Sequence, residues 1–144
     1  MHDKRKADLF DGMDLGLCAL NVNENILEFA GANSSLYLIQ DDELLVLKGD
    51  KVGINAEYEV TNMYTNTEIE IQKGDVVYLT SDGYPDQFGG ERYKKYTYRR
   101  MNELFQEIYK LPIEEQHDKI QRAFMDWKGD REQTDDVCLM GIRL

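Results

Sequence analysis

No apolar run in the sequence approaches the ~20 residues that a membrane-spanning helix requires, so direct membrane insertion is not expected. Nor does an apolar segment follow the charged opening Met1-His2-Asp3-Lys4-Arg5-Lys6-Ala7-Asp8. Without one, no secretory signal is expected, and the cytoplasm is the expected location. Cysteine is scarce: Cys18 and Cys138 lie far apart, outside any Cys-x-x-Cys pair or zinc-type spacing. Both sit in apolar runs and are expected to be buried, reduced thiols that pack as small hydrophobes. Cations are outnumbered, with 17 Lys and Arg against 28 Asp and Glu, a formal net charge of −11. A chain this acidic repels a phosphate backbone unless its cations cluster, so nucleic acid is not an expected partner.

What remains is an ordinary globular composition, 42% apolar and 31% charged over 144 residues, enough for one core. Residues 1–14 read as a polar lead-in and 15–144 as a single domain. Strand-like runs occupy 15–22, 26–30, 36–40 and 44–48. Asn23-Glu24-Asn25, Gly31-Ala32-Asn33, Asp41-Asp42 and Gly49-Asp50 punctuate them, and breaks this short favour antiparallel hairpins. Residues 57–66 show only weak periodicity. In 68–72 glutamate alternates with isoleucine, which predicts one wet and one buried face. Residues 76–80 are apolar on both faces and read as a central strand, and 137–144, apolar on both faces at the end of the chain, read as another buried strand. Between them Met101, Leu104, Phe105, Ile108 and Leu111 fall at helical spacing. Pro112 suits the first turn of a second helix, with a stripe of Ile113, His117, Ile120, Phe124 and Trp127 and a stop at Gly129. Strands, then two helices, then a last strand predict an α+β fold with largely antiparallel sheets.

Chemistry concentrates at two places. Thr80-Ser81-Asp82-Gly83 puts an aspartate at the end of one apolar strand, and Thr134-Asp135-Asp136 puts acids at the start of another. If these strands are antiparallel neighbours, Asp82 and Asp135 share one edge of the sheet. Two carboxylates so placed repel unless a proton or cation lies between them, and hard Mn²⁺ or Mg²⁺ suits carboxylate oxygen. Taken singly, Asp-Gly after a strand is usually a turn and Asp-Asp before one a solvated loop.

The neighbouring residues resemble a family pattern. Leu27-Glu28-Phe29-Ala30-Gly31-Ala32-Asn33, the run from Lys73 through Tyr78 to Gly83, Gln87-Phe88-Gly89-Gly90 and Thr134-Asp135-Asp136-Val137-Cys138-Leu139 occur in the order found in PPM-type serine/threonine phosphatases of the sporulation stage II protein E class. The resemblance implies the C-terminal part of a PPM-type β-sandwich. It implies a metal-dependent phosphatase, hydrolysing phosphoserine or phosphothreonine with a metal-activated water, in sigma-factor or stress signalling. It assigns Asp82 and Asp135 as ligands of a site that holds two Mn²⁺ or Mg²⁺ ions in a complete domain. Gly83, Asp86 and Asp136 then shape or rim that site. The implied partners are a phosphoprotein, such as an anti-sigma-factor antagonist, and an upstream sensor domain in a full-length parent. The family's Asp-x-x-Gly-His-Gly metal motif is absent from this sequence, so the chain reads as a fragment, inactive or weak alone. The alternative is a non-catalytic remnant that serves as a protein-interaction module.

Arg92, Lys94, Lys95, Arg99 and Arg100 form a basic patch that can hold a phosphate or an acidic partner, or form a solvated loop and helix start. His117 on its helical stripe is expected to be partly buried and satisfied, and Trp127 to pack its helix on the sheet.

Overall fold

The computed structural model describes residues 12–54 and 64–144. The expectations for residues 1–11, and for most of the weakly periodic stretch 57–66, lie outside the described residues. Two antiparallel sheets face each other. Strands β1 (Leu15–Asn21), β2 (Ile26–Ala32) and β5 (Thr67–Glu70) form one, in the order β1-β2-β5. Strands β3 (Ser35–Gln40), β4 (Glu43–Lys48), β6 (Val76–Thr80) and β9 (Leu139–Arg143) form the other, in the order β4-β3-β6-β9. After β6 come a one-turn helix α1 (Gly83–Asp86) and a two-residue ribbon of β7 (Phe88–Gly89) with β8 (Lys94–Lys95). Helices α2 (Tyr98–Ile108) and α3 (Ile113–Lys128) follow, and β9 ends the fold. The α+β class with antiparallel sheets and two C-terminal helices is thus the observed one.

The sequence alternation explains the layers. Residues of one parity, Leu27 and Phe29 of β2, Leu36 and Leu38 of β3 and Val77 of β6, fill the space between the sheets, joined by Ile71 and the half-buried Ile69. Residues of the other parity, Tyr37, Ile39, Val76 and Tyr78, face the helices and meet Met101, Phe105, Ile120 and Phe124. Strands β3 and β6 are therefore apolar on both faces, while Glu68 and Glu70 of β5 look into water. Tyr78 stacks on Phe105 at a ring separation of 4.1 Å, and its hydroxyl donates to Gln116 Oε1 at 2.6 Å. Burial without a partner would leave that hydroxyl costly.

The chain crosses from one sheet to the other at Gly31-Ala32-Asn33-Ser34. β2 runs on through Gly31 and Ala32, two residues further than expected, and Asn33 makes the corner with φ 51°. Gly31 and Gly49 meet backbone to backbone there. A Cβ on either would lie 2.3 Å from the Ser34 carbonyl oxygen, so only glycine fits.

Several expectations need correction. Residues 137–144 do not form a buried strand: β9 starts at Leu139, pairs with β6 alone among the described residues, and is largely exposed. Cys138, just before it, is consequently exposed and Cys18 only half-buried. His117 is not tucked against the core. Its side chain is 73% exposed beside Asp118, and the neighbouring Gln116 is the buried polar residue of α3. The helical period explains the swap, because Gln116, Ile120 and Phe124 share the core face. Trp127 packs on the β7–β8 ribbon rather than on the sheet, lying against Gly89 and Gly90 and donating its indole N–H to the Gln87 carbonyl at 3.0 Å. Arg99 and Arg100 begin α2 as expected, whereas Lys94 and Lys95 belong to the ribbon. Leu111 lies beyond the end of α2, and Pro112 caps α3.

Gln116→Leu is expected to cost about 2 kcal/mol, because it strands the Tyr78 hydroxyl while Arg143 still serves the Tyr109 and Leu111 carbonyls. Adding Tyr78→Phe should recover about half of that loss, giving a coupling visible in a double-mutant cycle by urea unfolding.

Candidate functional site

Strands β6 and β9 are antiparallel neighbours, with Thr80 opposite Leu139. The end of one and the start of the other therefore lie on the same rim of the sheet. Beyond the last strand pair the contact continues through Ser81. Its amide donates to the Cys138 carbonyl at 2.9 Å, its Oγ donates to the Asp136 carbonyl at 2.9 Å, and it accepts from the Cys138 amide at 3.0 Å. Gly83, which is buried, sits directly against residue 136, where a Cβ would lie 2.3 Å from the Asp136 carbonyl oxygen. Backbone contacts and the Ser81 hydroxyl thus hold the Asp82 segment beside the Asp135-Asp136 segment. Both Asp82 and Asp135 are exposed to water. Asp135 accepts from the Asp136 amide at 2.7 Å through Oδ1, which fixes its carboxylate near the backbone and leaves Oδ2 outside that bond.

A groove of about 330 Å³ opens at this rim, between the ends of the two sheets. Ser81, Asp82 and Cys138 line it from one side, Asp14, Asn33 and Ser34 from the other. The sequence reading placed Asp14 in the polar lead-in and gave it no part. In the fold it precedes β1 directly, and its Oδ1 accepts from Asn33 Nδ2 at 2.9 Å. The only local signal is an acid just before a strand, much like that of Asp135. The fold brings it to the groove through the sheet-to-sheet corner at Asn33.

The remaining sequence candidates divide. Asp86, at the end of α1, pairs with Lys95 at 2.9 Å. That hydrogen bond holds the Lys95 ammonium above its ordinary pKa, with a smaller contribution from Asp82. Lys95 therefore belongs to the rim, tied to an acid. Lys94 and Arg92 are exposed. Tyr98 also lines the groove. Burial, with Asp86 and Asp82 close by, pushes its phenol pKa up, so it stays a neutral donor at neutral pH. Its position follows from Thr97, whose amide donates to the Pro85 carbonyl at 2.7 Å in a conformation with φ 83° and whose hydroxyl caps α2. A β-branched residue rarely adopts that angle unless its surroundings impose it.

The donors at the rim are carboxylate, hydroxyl and amide oxygens, which suit a hard divalent cation rather than a soft one. Among the described residues, however, no three His, Cys, Asp or Glu side chains converge as a metal cluster. The rim therefore fits part of a coordination shell, with Asp82 and Asp135 as its candidate protein ligands.

Two facing antiparallel sheets with helices over one outer face are the arrangement of phosphatase domains of the PP2C, or PPM, type. The PP2C domain of SiaA from Pseudomonas aeruginosa superposes with a TM-score of 0.84 at 30% identity, covering 91% of this chain and 51% of that one. The phosphatase domain of SpoIIE from Bacillus subtilis, presoaked with manganese, gives 0.67 at 14% identity, covering 91% and 56%. The catalytic domain of PstP, determined in complex with two manganese ions, gives 0.55 at 21% identity, covering 88% and 56%. The chain belongs to the stage II sporulation protein E (SpoIIE) family, whose model matches residues 4–144. Among curated protein sequences none matches it. The chain spans about half the length of the solved domains it resembles. No helix among the described residues is long and apolar enough to cross a membrane.

Gly83→Ala tests the backbone clamp at the rim. The new methyl group meets backbone rather than a movable side chain, so the Asp82 and Asp136 segments must part. A loss of about 2 kcal/mol or more in thermal or urea unfolding is expected, against less than about 0.5 kcal/mol for Gly12→Ala, whose added methyl group meets only the Ile54 carbonyl oxygen at 3.8 Å.

Proposed function

We propose that residues 15–144 are the C-terminal portion of a metal-dependent protein serine/threonine phosphatase domain. Asp82 and Asp135 would hold the divalent cations. The observation that carries this reading is the antiparallel register of β6 and β9, extended through Ser81, which keeps the Asp82 and Asp135-Asp136 segments side by side. Bound Mn²⁺ or Mg²⁺ supplies a water of lowered pKa and offsets charge on the phosphoryl oxygens. The chain's own residues do the positioning. Gly83 allows the close approach, Asp136 offers its carbonyl to Ser81 and so anchors the start of the last strand, and Asp86 holds Lys95 at the rim. Lys95, Lys94 and Arg92 present cations from which a phosphorylated substrate can be met. The substrate class is a phosphoserine or phosphothreonine protein, of the anti-sigma-factor antagonist kind. The setting is cytoplasmic stress or sigma-factor signalling under an upstream sensor domain. Family membership supports this setting.

One observation favours a second reading, a non-catalytic interaction module. Among the described residues no three metal-binding side chains converge at the rim, which leaves an incomplete shell. The two readings separate in one assay. Mn²⁺-dependent phosphate release from a phosphoserine protein is measured for this chain alone and for the chain joined to a segment bearing Asp-x-x-Gly-His-Gly. The phosphatase reading expects strong activity only in the joined protein, and a fall of about 100-fold or more on Asp82→Ala or Asp135→Ala. Undiminished activity in the Asp82→Ala/Asp135→Ala double variant would sink it. A joined protein that folds, binds its substrate and never releases phosphate would establish the module.

A further inference from the structure

Helix α2 does not cover the whole of the sheet face on which it packs. Leu44, Val46 and Lys48 alternate along β4 on that face, paired across to Ile39, Tyr37 and Ser35 of β3. Leu44 packs against the core beneath the helices, but Val46 is 37% exposed and Lys48 lies in water. Tyr98 and Asn102, one turn apart on one face of α2, form the opposite wall of the gap. The gap is a groove of about 390 Å³, lined also by Lys51. It shares Asn33, Ser35, Tyr37 and Tyr98 with the rim groove that holds Asp82, so the two adjoin.

Lys48 and Lys51 bring two positive charges to this groove in a chain of net charge −11. Among the described residues neither meets a carboxylate within ion-pair distance, whereas Lys95 is tied to Asp86 and Lys110 to Asp42. The acid nearest in sequence is engaged elsewhere: the Asp50 carboxylate accepts from the Thr65 amide at 2.7 Å and from its hydroxyl at 3.2 Å. The backbone that leads to Lys51 is held. The Asp50 amide donates to the Gly31 carbonyl, and the Asp50 carbonyl accepts from the Asn33 amide, both at 2.8 Å. Asn102 adds an acceptor. Its Oδ1 is buried, and no donor reaches it among the described residues, which costs free energy until one is supplied. Two cations without counter-charges, beside an acceptor without a donor, suit an acidic peptide segment. Its carboxylate would meet the lysines and a backbone N–H would meet Asn102.

We infer that this groove is a specificity subsite for an acidic residue flanking the phosphorylated serine or threonine of the substrate protein, its carboxylate held by Lys48 and Lys51. The subsite rests on the phosphatase reading for the phosphorylated residue alone, which the adjoining rim would receive. Tyr98, common to both grooves, stands between the two positions. Opposite charge here selects as well as binds. An acidic segment is repelled over much of so acidic a chain and met where cations are unpaired.

Two fluorescein-labelled phosphoserine peptides provide the test, identical except for glutamate or glutamine at the three positions on each side of the phosphoserine. Their binding to the full chain is measured by fluorescence anisotropy without added metal. The glutamate peptide is expected to bind at least ~10-fold tighter than the glutamine peptide. Lys48→Glu/Lys51→Glu should remove that preference with circular dichroism unchanged, and Lys119→Glu, on the exposed face of α3, should retain it. Asn102→Leu should weaken both peptides alike, by ~3-fold or more, because it takes away a contact to peptide backbone. A preference that survives Lys48→Glu/Lys51→Glu would overturn the proposal. Equal weakening of both peptides in that variant would also overturn it, since the lysines would then hold the phosphate itself, as would equal binding of the two peptides by the unaltered chain. A preference that needs the two lysines, together with no Mn²⁺-dependent phosphate release from the joined protein, would leave the acidic subsite standing and count against the phosphatase reading alone.

Discussion

Strand β6 is the member on which the rest depends. It is hydrogen-bonded on both sides, to β3 and β9, and buried on both faces, against the first sheet and against the helices. Its outer face seats α2 through the Tyr78–Phe105 stack and α3 through the Tyr78–Gln116 hydrogen bond. Its inner face seats β2 through Val77 and Leu79. No other strand touches all three layers and also ends in a candidate functional residue. Rigid packing along five residues is therefore delivered to Asp82 at the strand's end, where a carboxylate exposed to water would otherwise have no fixed place.

The rim sets its geometry through backbone contacts and one side-chain hydroxyl, that of Ser81. Ser81 makes hydrogen bonds to both sides of the peptide run 136–138, and Gly83 lets residue 136 come to contact distance. Among the described residues the Asp82 carboxylate carries no hydrogen bond of the fold, while Asp135 accepts from its own neighbour's amide and Asp14 from Asn33. This economy suits a cation site. Oxygen donors that are not consumed by the fold remain available at the exposed rim, where water screens their charge. Around them the protein places a neutral Tyr98 and a Lys95 already tied to Asp86. The one part of the basic patch that reaches the rim is consequently held in place rather than loose.

The distribution of apolar surface follows the position of the site. The helices cover one outer face, charges guard two edges, and the remaining two edges flank the groove that holds Asp82 and Asp14. A site at an open side of a sandwich has fewer walls and fewer donors than one at a closed side. The partial coordination shell and the exposed β1 and β9 residues therefore share one cause: the same side of the molecule lacks neighbours among the described residues.

Most strands, both long helices and the two-aspartate rim were legible in the sequence. Alternation in 68–72, the doubly apolar run 76–80 and the stripe Met101–Phe105–Ile108 report local burial, and burial follows directly from the side chains a residue carries. The order of motifs, from Gly31-Ala32-Asn33 to Asp135-Asp136, likewise identified the family without coordinates. What local pattern cannot encode is which neighbour lies across a sheet. Residues 137–144 look buried because they are apolar on both faces, yet whether a strand is covered depends on the segments that pack and pair beside it, and that left Cys138 in water. Asp14 came to the groove through a corner nineteen residues away in sequence, at Asn33. His117 and Gln116 exchanged roles because a stripe read by apolarity alone misses a glutamine whose three hydrogen bonds satisfy it inside the core. Composition and periodicity thus determined the elements and the chemistry they carry; the long-range pairing of strands, which no short window contains, decided which residues meet and which edges remain open.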